Sequence, residues 1–375
     1  MPKFSDFGMP VPVYLASFLM VGISLTFIGP ALSELRDRSG SGIGGIGVLF
    51  AAQSIGYFFG SLAAGRLYDR FNGHRVFAAA LLIIGLGMFL LPMFNSIGAL
   101  VVVFVVIGLG SSSTDVGANL LLMWTLRANS GRAMNTLHLF FGFGALVSPL
   151  FIHVGLDLAA RSATAFCVLL AVWTLATPAP AAPAAARDEH TDTTWRLLLL
   201  LATFFTLYVG LEIGFSGWIK TYGEEIDLSE LTATWLTTVF WVGFTVGRML
   251  SAALAQRFRP KAILSYASAL TIVASATLIV GNGSTAPLWF GTALMGIATA
   301  PQFPVMFTYL ERRIHITGAA TAWFVAAAGI GGLTFPWLIG RWFDASGTQA
   351  VMWAVGILSV ATTISFIASD RVLAR

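Results

Sequence analysis

Apolar residues along the chain fall into long runs separated by short polar breaks. A helix needs about 17–25 residues to cross a hydrocarbon core of about 30 Å, and twelve of the runs reach that length. They lie near residues 11–33, 44–65, 75–94, 98–122, 134–156, 161–177, 196–219, 230–254, 261–281, 286–309, 317–339 and 348–368. The pattern predicts an all-α polytopic membrane protein with twelve transmembrane helices.

The chain also repeats itself once. Residues 56–71 reappear without a gap at residues 243–258, an offset of 187 (243 minus 56) in a chain of 375 residues. The same offset carries Gly144 onto Gly331, Pro149 onto Pro336 and Asp157 onto Asp344. A repeat in apolar sequence predicts two six-helix bundles related by a pseudo-twofold axis. That architecture usually places a substrate site near the bilayer midplane, at the interface of the halves.

The repeat fixes the expected domains. We expect an N-terminal bundle over residues 1–177 and a C-terminal bundle over residues 195–375. Between them, residues 178–194 are rich in proline and alanine and then become charged. That composition predicts a linker on the cytoplasmic surface of the membrane, semi-rigid at its start.

Composition supports a membrane protein and excludes other classes. Hydrophobic residues make up 57% of the chain and charged residues 10%, against about 25% charged in soluble domains. The net charge of +4 therefore does not indicate nucleic-acid binding, and lipid is the expected solvent. Sixteen of the 21 lysines and arginines, Arg248 among them, fall on one side of the predicted spans. By the positive-inside rule, both termini are expected in the cytoplasm of a protein of the inner (cytoplasmic) membrane.

No enzyme chemistry is evident in the sequence. There is no nucleophile–base pair, no metal-spaced His/Cys cluster and no phosphate loop, so we expect no enzyme, no metal and no cofactor. Residues 42–47 formally fit a dinucleotide fingerprint, but no strand precedes them, and the motif requires one. We expect a monomer whose partners are a small-molecule substrate and the lipid bilayer.

The loop between the second and third spans carries a family resemblance. Gly65-Arg66-Leu67-Tyr68-Asp69-Arg70, followed by Gly73 and Arg75, resembles the signature loop of the major facilitator superfamily. The resemblance covers the whole chain and implies the major facilitator fold. It also implies a cytoplasmic gate, in which Gly65 allows close packing and Asp69 contacts a helix N-terminus or an arginine. The expected gate residues are Gly65, Asp69, Arg70, Gly73, Arg75, Arg127 and Arg132. The alternative is that these charges only fix orientation.

Further segments narrow the resemblance. Residues 115–119 on span four, 134–138 and 141–145 on span five, and 208–219 on span seven resemble the branch of fucose–galactose–glucose:proton symporters and sodium-dependent glucose transporter-like proteins. The resemblance implies sugar transport. Span one, residues 13–33, lacks the acidic residue that the fucose symporters carry there, so coupling through that position is not expected.

Two acids, Asp115 and Glu212, lie well inside predicted spans. An acid at the bilayer centre costs about 2.5–3.5 kcal/mol on insertion scales, so it normally faces the bundle interior and serves function. Either acid is expected to exchange a coupling proton or, as the alternative, to help bind sodium. The hydroxyl groups of residues 111–114 lie close to Asp115 in sequence. A permanent ion pair, for example of Asp115 with Arg127 or His138, is the structural alternative.

Polar and aromatic residues at similar depths are candidates for binding a sugar. Amides take paired hydroxyl hydrogen bonds, and an aromatic face packs beneath the ring. The candidates are Gln53, Asn119, Asn135, His138, Trp218, Trp241 and Gln302. Each of them also suits packing or an interhelical hydrogen bond, and the tryptophans also suit interface anchoring.

The repeat places Gln302 at the position of Asp115, on span ten. Pro301 and Pro304 are expected to break that helix, since proline removes a backbone donor. Broken helices inside membranes line cavities rather than face lipid.

These features predict a cation-coupled secondary active transporter of a small polar solute, with a monosaccharide favoured, working by alternating access. The proton is the favoured coupling ion, and sodium is the alternative. An exporter of amphipathic compounds or lipids, and a receptor that binds solute without moving it, are the other hypotheses.

Overall fold

The computed structural model describes residues 10–126, 130–181, 195–311 and 318–373, and within these ranges it contains helices and no strand. The helices are α1 Val11–Thr26, α2 Ile28–Ser39, α3 Ile43–Ile46, α4 Val48–Arg70, α5 Gly73–Leu90, α6 Ile97–Leu126, α7 Ser130–His153, α8 Leu156–Ala176, α9 Trp195–Glu225, α10 Glu230–Leu254, α11 Pro260–Gly281, α12 Thr285–Thr299, α13 Gln302–Glu311, α14 Gly318–Ser346 and α15 Gln349–Leu373. A short 3₁₀ turn, Leu91–Met93, follows α5.

The helices confirm the all-α membrane fold. Across the described residues, nine helical segments are long and apolar enough to span a membrane, and α1 with α2 makes a tenth if that bent pair is one span. The predicted first span, residues 11–33, is therefore not one straight helix, because the chain bends by 45° between α1 and α2. The predicted spans 286–309 and 317–339 correspond to α12 with α13 and to α14.

The break predicted at Pro301 is confirmed. Helix α12 ends at Thr299 and α13 begins at Gln302. Proline has no backbone N–H and its ring clashes with the preceding turn, which favours a break at Pro301. Pro304 is tolerated in the first turn of α13, where backbone N–H groups have no partner within the helix.

The described helices form two compact units. The first unit comprises Met1–Ser41 and Val48–Ala186, and the second comprises Gly42–Gly47 and Arg187–Arg375. The short segment Gly42–Gly47 belongs to the second unit, although the sequence places it before the second predicted span. A Cβ at Gly44 would lie 2.9 Å from Oδ2 of Asp344, and one at Gly47 would lie 3.3 Å from the Trp218 ring. The lack of side chains at these glycines is what lets the segment pack there.

Glycines set the crossing of α4 and α6 in the first unit. A Cβ at Gly56 would clash with the carbonyl oxygen of Val105, and one at Gly108 would clash with that of Gln53. Gly60 faces Leu109 in the same way. Lipid provides little hydrophobic drive for helix association, so small residues that let two backbones approach are what such a crossing requires.

The second unit repeats this crossing between α10 and α12. Gly243 faces the carbonyl oxygen of Ala293, Gly247 faces that of Ile297, and Gly296 faces that of Phe240. Gly243 and Gly247 are the repeat positions of Gly56 and Gly60. The repeat seen in sequence is therefore also a repeat of packing.

A second crossing is repeated as well. Gly144 of α7 faces the carbonyl oxygen of Leu19 on α1, and Gly331 of α14 faces that of Thr206 on α9. Both pairs are related by the offset of 187. The two units thus share a scaffold of close helix pairs.

Candidate functional site: two intramembrane carboxyl groups

The first carboxyl group, Asp115 on α6, is held by two neutral side chains. Its Oδ2 accepts a hydrogen bond from the Tyr57 hydroxyl of α4 at 2.5 Å. Its Oδ1 accepts one from Nδ2 of Asn119 at 2.8 Å, and the same amide donates to the Asp115 carbonyl oxygen at 2.9 Å. Tyr57 reaches Asp115 because the glycine crossing brings α4 and α6 together.

Asp115 has no cationic partner among the residues that the structure describes. The two partners suggested by the sequence do not supply one: Arg127 lies outside the described residues, and the His138 ring packs edge-on against Phe18 at a centroid distance of 5.3 Å. A carboxyl group with only neutral donors inside a membrane lacks a fixed compensating charge. It is suited to take a proton or a metal cation from solution.

The second carboxyl group, Glu212 on α9, is buried and has different surroundings. The Tyr208 hydroxyl, one helical turn earlier, donates a hydrogen bond to its Oε2. Arg248 on α10 is close enough for its charge to act on both Glu212 and Tyr208. The Arg248 guanidinium carbon lies 4.9 Å from the Phe244 ring centroid, within the range of a cation–π interaction.

Sequence reasoning missed Tyr57, Tyr208 and Arg248 as site residues. A signal existed for Arg248, because an arginine inside a predicted span indicates function as an acid does. We counted it only among the charges that set orientation. The two tyrosines carried little signal, since an aromatic residue in an apolar run fits ordinary packing equally well.

Gln53 makes an interhelical hydrogen bond in the first unit. Its Nε2 donates to the Ser24 carbonyl oxygen of α1 at 2.7 Å. The Ser24 hydroxyl in turn lies 2.8 Å from the Ser111 hydroxyl of α6. The two contacts together join α4, α1 and α6 near Asp115, and at least one donor of the Gln53 amide is used within the protein.

The two tryptophans predicted to bind sugar are core residues. Trp218 is fully buried, and its Nε1 donates to the Pro336 carbonyl oxygen at 2.8 Å. Its ring also occupies the space that a side chain at Gly340 would need. Trp241 packs edge-on against Phe240 and Phe244 at 5.0 and 5.2 Å. These surroundings favour the packing alternative over a sugar-stacking face, and they do not fit interface anchoring.

Gln302 begins α13 with a fully buried side chain. Its Nε2 donates to the Ala298 carbonyl oxygen at 3.3 Å, and its Oε1 has no partner among the described residues. The remaining sugar candidate, the Asn135 side chain, lies outside the described residues. In the described ranges, no group of three or more His, Cys, Asp or Glu residues is placed to hold a metal ion.

The predicted gate lies at the end of α4 and the start of α5. Asp69, Arg70 and Arg75 are exposed, and Gly73 is the glycine in close contact, since a Cβ there would lie 2.6 Å from the Leu121 side chain. No described atom lies within 4 Å of a Cβ at Gly65, so the expected close packing at that residue is not found. Arg127 and the Arg132 side chain lie outside the described residues, and the gate stays a prediction.

Comparison with known proteins gives one family. The model of the Major Facilitator Superfamily matches residues 14–234 and 200–373. The chain is 26% identical to sodium-dependent glucose transporter 1 of Danio rerio over 87% of its own length and 63% of that protein. It is 24% identical to sodium-dependent glucose transporter 1A of Mus musculus over 87% of each chain. The chain thus spans less than two thirds of the zebrafish relative.

Solved structures share the fold. A bacterial homologue of the human lysosomal transporter Spinster aligns with a TM-score of 0.81 at 14% identity, covering 96% of each chain. A D-xylose–proton symporter aligns with a TM-score of 0.76 at 13% identity, covering 95% of this chain and 96% of that one. These relatives and structures are transporters and not enzymes, as the sequence predicted. At such identity they establish the fold and leave the solute open.

Proposed function

Since the chain belongs to the major facilitator superfamily, we propose that it is a cation-coupled secondary transporter of a small polar solute. The observation that carries the proposal is the pair of intramembrane carboxyl groups, each hydrogen-bonded by a tyrosine. Acids at this depth are retained where they bind ions or substrate. The mechanism is alternating access, as the sequence predicts.

The sequence predicts coupling at both acids, but the two carboxyl groups have different surroundings. Glu212 has the charge of Arg248 nearby, whereas the donors to Asp115 are the neutral groups of Tyr57 and Asn119. Asp115 is therefore the better candidate for the residue that takes up the coupling ion. The proton is favoured because it needs only one oxygen, whereas sodium needs several oxygen ligands, and both oxygens of Asp115 already accept hydrogen bonds. Sodium is the alternative.

The proposed solute is a monosaccharide. Two relatives carry names as sodium-dependent glucose transporters, and the segments around Asp115 and Glu212 carry the resemblance to the sugar-transporting branch. Carboxylate, amide and guanidinium groups suit sugar hydroxyls, since they supply both donors and acceptors.

The test is uptake of radiolabelled D-glucose into proteoliposomes that contain the purified full chain. We expect an imposed inward proton or sodium gradient to drive accumulation above the level in protein-free vesicles. We also expect other hexoses to compete. Accumulation of neither D-glucose nor any competing hexose under either gradient would refute the proposal. Saturable binding without counterflow would instead favour a receptor.

A further inference from the structure

We propose that Arg248 and Glu212 form a ligand-binding pair in the second unit that recognises two adjacent hydroxyl groups of a sugar. The guanidinium donates a hydrogen bond to one oxygen of the vicinal diol, and the carboxylate accepts one from the neighbouring hydroxyl. This inference rests on the proposed function and specifies the chemical group that is recognised.

Helix geometry brings the Arg248 guanidinium toward the level of Glu212. Helices α9 and α10 are joined by residues 226–229, so they run antiparallel. Phe215 of α9 lies opposite Phe240 of α10, with ring centroids 5.5 Å apart. One turn back along α9 is Glu212, and one turn forward along α10 is Phe244, so these two residues lie at about the same level. Arg248 follows one turn after Phe244, and its guanidinium carbon lies 4.9 Å from the Phe244 ring centroid, which brings the charge back toward the level of Glu212. This register agrees with the effect of the Arg248 charge on Glu212.

Arg248 has donors that the protein does not use. No described residue accepts a hydrogen bond from its guanidinium, and its Nε is buried without a partner. The Phe244 ring beneath it stabilises the charge but accepts no conventional hydrogen bond. An unsatisfied charged donor is unfavourable in a membrane interior, so a ligand oxygen is the partner that the arrangement lacks.

The Glu212 carboxylate has one oxygen that can accept a further hydrogen bond. Tyr208 occupies Oε2, and no described residue donates to Oε1. A neutral diol matches one free donor and one free acceptor. An anionic ligand matches less well, because it would place a second negative charge beside Glu212 against a single guanidinium.

Packing does not account for the arginine. The first unit builds the same glycine crossing with Ser61 at the repeat position of Arg248 and Tyr57 at that of Phe244. The scaffold therefore forms without a cation at this position. What the second unit adds is the charged pair.

The experiment measures binding of D-glucose and its 2-, 3-, 4- and 6-deoxy analogues to the purified full chain. The variants are Arg248→Gln, Arg248→Lys, Glu212→Gln and the double variant Arg248→Gln/Glu212→Gln. The control is Arg257→Gln, which neutralises an exposed arginine just after α10. Apparent melting temperature is recorded for each, so that a folding defect is separated from a binding defect.

We expect Arg248→Gln to weaken D-glucose binding ~10- to 100-fold, the range of a hydrogen bond to a charged group. Arg248→Lys, which keeps the charge but not the fork of donors, should also weaken it. At least one deoxy analogue should bind the unmodified protein as weakly as D-glucose binds Arg248→Gln. The affinity of that analogue should be the same for Arg248→Gln as for the unmodified protein. Arg257→Gln should bind normally.

Two results would overturn the pairing while leaving the proposed function standing. One is glucose binding by folded Arg248→Gln and Arg248→Lys within ~2-fold of the unmodified protein, well below the expected hydrogen-bond effect. The other is tighter binding of D-glucuronate than of D-glucose, which would make the site an anion site. If the unmodified protein binds no sugar at all, both the proposed function and this inference fail.

Discussion

The two units build the same helix crossing and place different chemistry on it. In the first unit the α4–α6 crossing carries Asp115 and its donor Tyr57. At the repeat positions the second unit holds Gln302, which begins α13, and Phe244 of α10. The second unit has its carboxyl–tyrosine pair on α9 instead, where an offset of 188 gives Ser24 in place of Glu212. Glycine packing was kept in both copies, and the ionisable groups were divided between them.

The most important difference between the two carboxyl groups is whether a cation lies nearby. Glu212 lies within reach of the Arg248 charge, while no described cation contacts Asp115. A carboxylate with a built-in cation is compensated by the protein, and one without must obtain its positive charge from solution. Under the proposed function, the comparison therefore predicts ion coupling in the first unit and ligand binding in the second.

The largest expected effect is on stability, and it tests whether Trp218 of the second unit is a packing residue or a sugar-binding residue. If Trp218 is a core residue, Trp218→Ala should destabilise the protein by about 3–5 kcal/mol, because it leaves a cavity in the packed interior. Thermal unfolding in detergent checks this. The matched control is Trp323→Ala, since Trp323 is 70% exposed. A variant at Trp218 that keeps its melting temperature and loses sugar binding would instead make it a sugar-contacting residue.

The next effect tests whether the two crossings are equivalent. Gly108→Ala and Gly296→Ala each force a methyl group against a facing backbone carbonyl, and each should cost about 1–3 kcal/mol or more. Melting temperature and size-exclusion profiles measure the loss.

Two other glycine variants serve as controls for these. A Cβ at Gly98 of α6 or at Gly329 of α14 meets no described atom within 4 Å, so alanine there should be neutral or stabilising. A large loss for Gly108→Ala alone would contradict a shared scaffold.

The smallest effect concerns a contact between two helices of the same unit, called the clamp below, which is built differently in the two units. In the first unit, Nδ1 of His74 donates to the Thr177 carbonyl oxygen at 2.8 Å, which leaves Nε2 to accept from the Tyr14 hydroxyl at 2.6 Å. At the repeat position, Lys261 of α11 pairs with Asp370 of α15 at 2.7 Å. Both contacts tie the third helix of a unit to the end of its last helix.

Removing the two clamps should have unequal results. His74→Phe strands two polar groups and should cost about 1–3 kcal/mol. Lys261→Met breaks an ion pair whose lysine is 52% exposed, and it should cost no more than about 1 kcal/mol. Added salt should weaken the ion pair of the second clamp and leave the first clamp unchanged. The difference in melting temperature between the unmodified protein and Lys261→Met should therefore shrink in high salt. Equal losses that ignore salt would contradict this distinction.

Much of the scaffold was predictable from sequence because it depends on local rules. Apolar runs gave the spans, Pro301 gave the break, and the repeated Gly56 and Gly243 gave the two copies of one crossing. The side-chain partnerships were not predictable in this way. Tyr57 meets Asp115 only because two helices cross at a particular depth, and Trp218 is buried by the distant Pro336 and Gly340. Glu212 and Tyr208 share a helix at a spacing of four, so that contact was open to prediction and was missed.

Gradient-driven uptake of D-glucose by Asp115→Asn and Glu212→Gln in proteoliposomes tests the division between the units most directly. We predict that Asp115→Asn loses accumulation under an imposed proton or sodium gradient while it still exchanges glucose by counterflow. Glu212→Gln should bind and exchange glucose weakly, with the remaining uptake still dependent on the gradient. Gradient-dependent accumulation that survives in Asp115→Asn and disappears in Glu212→Gln would contradict the account.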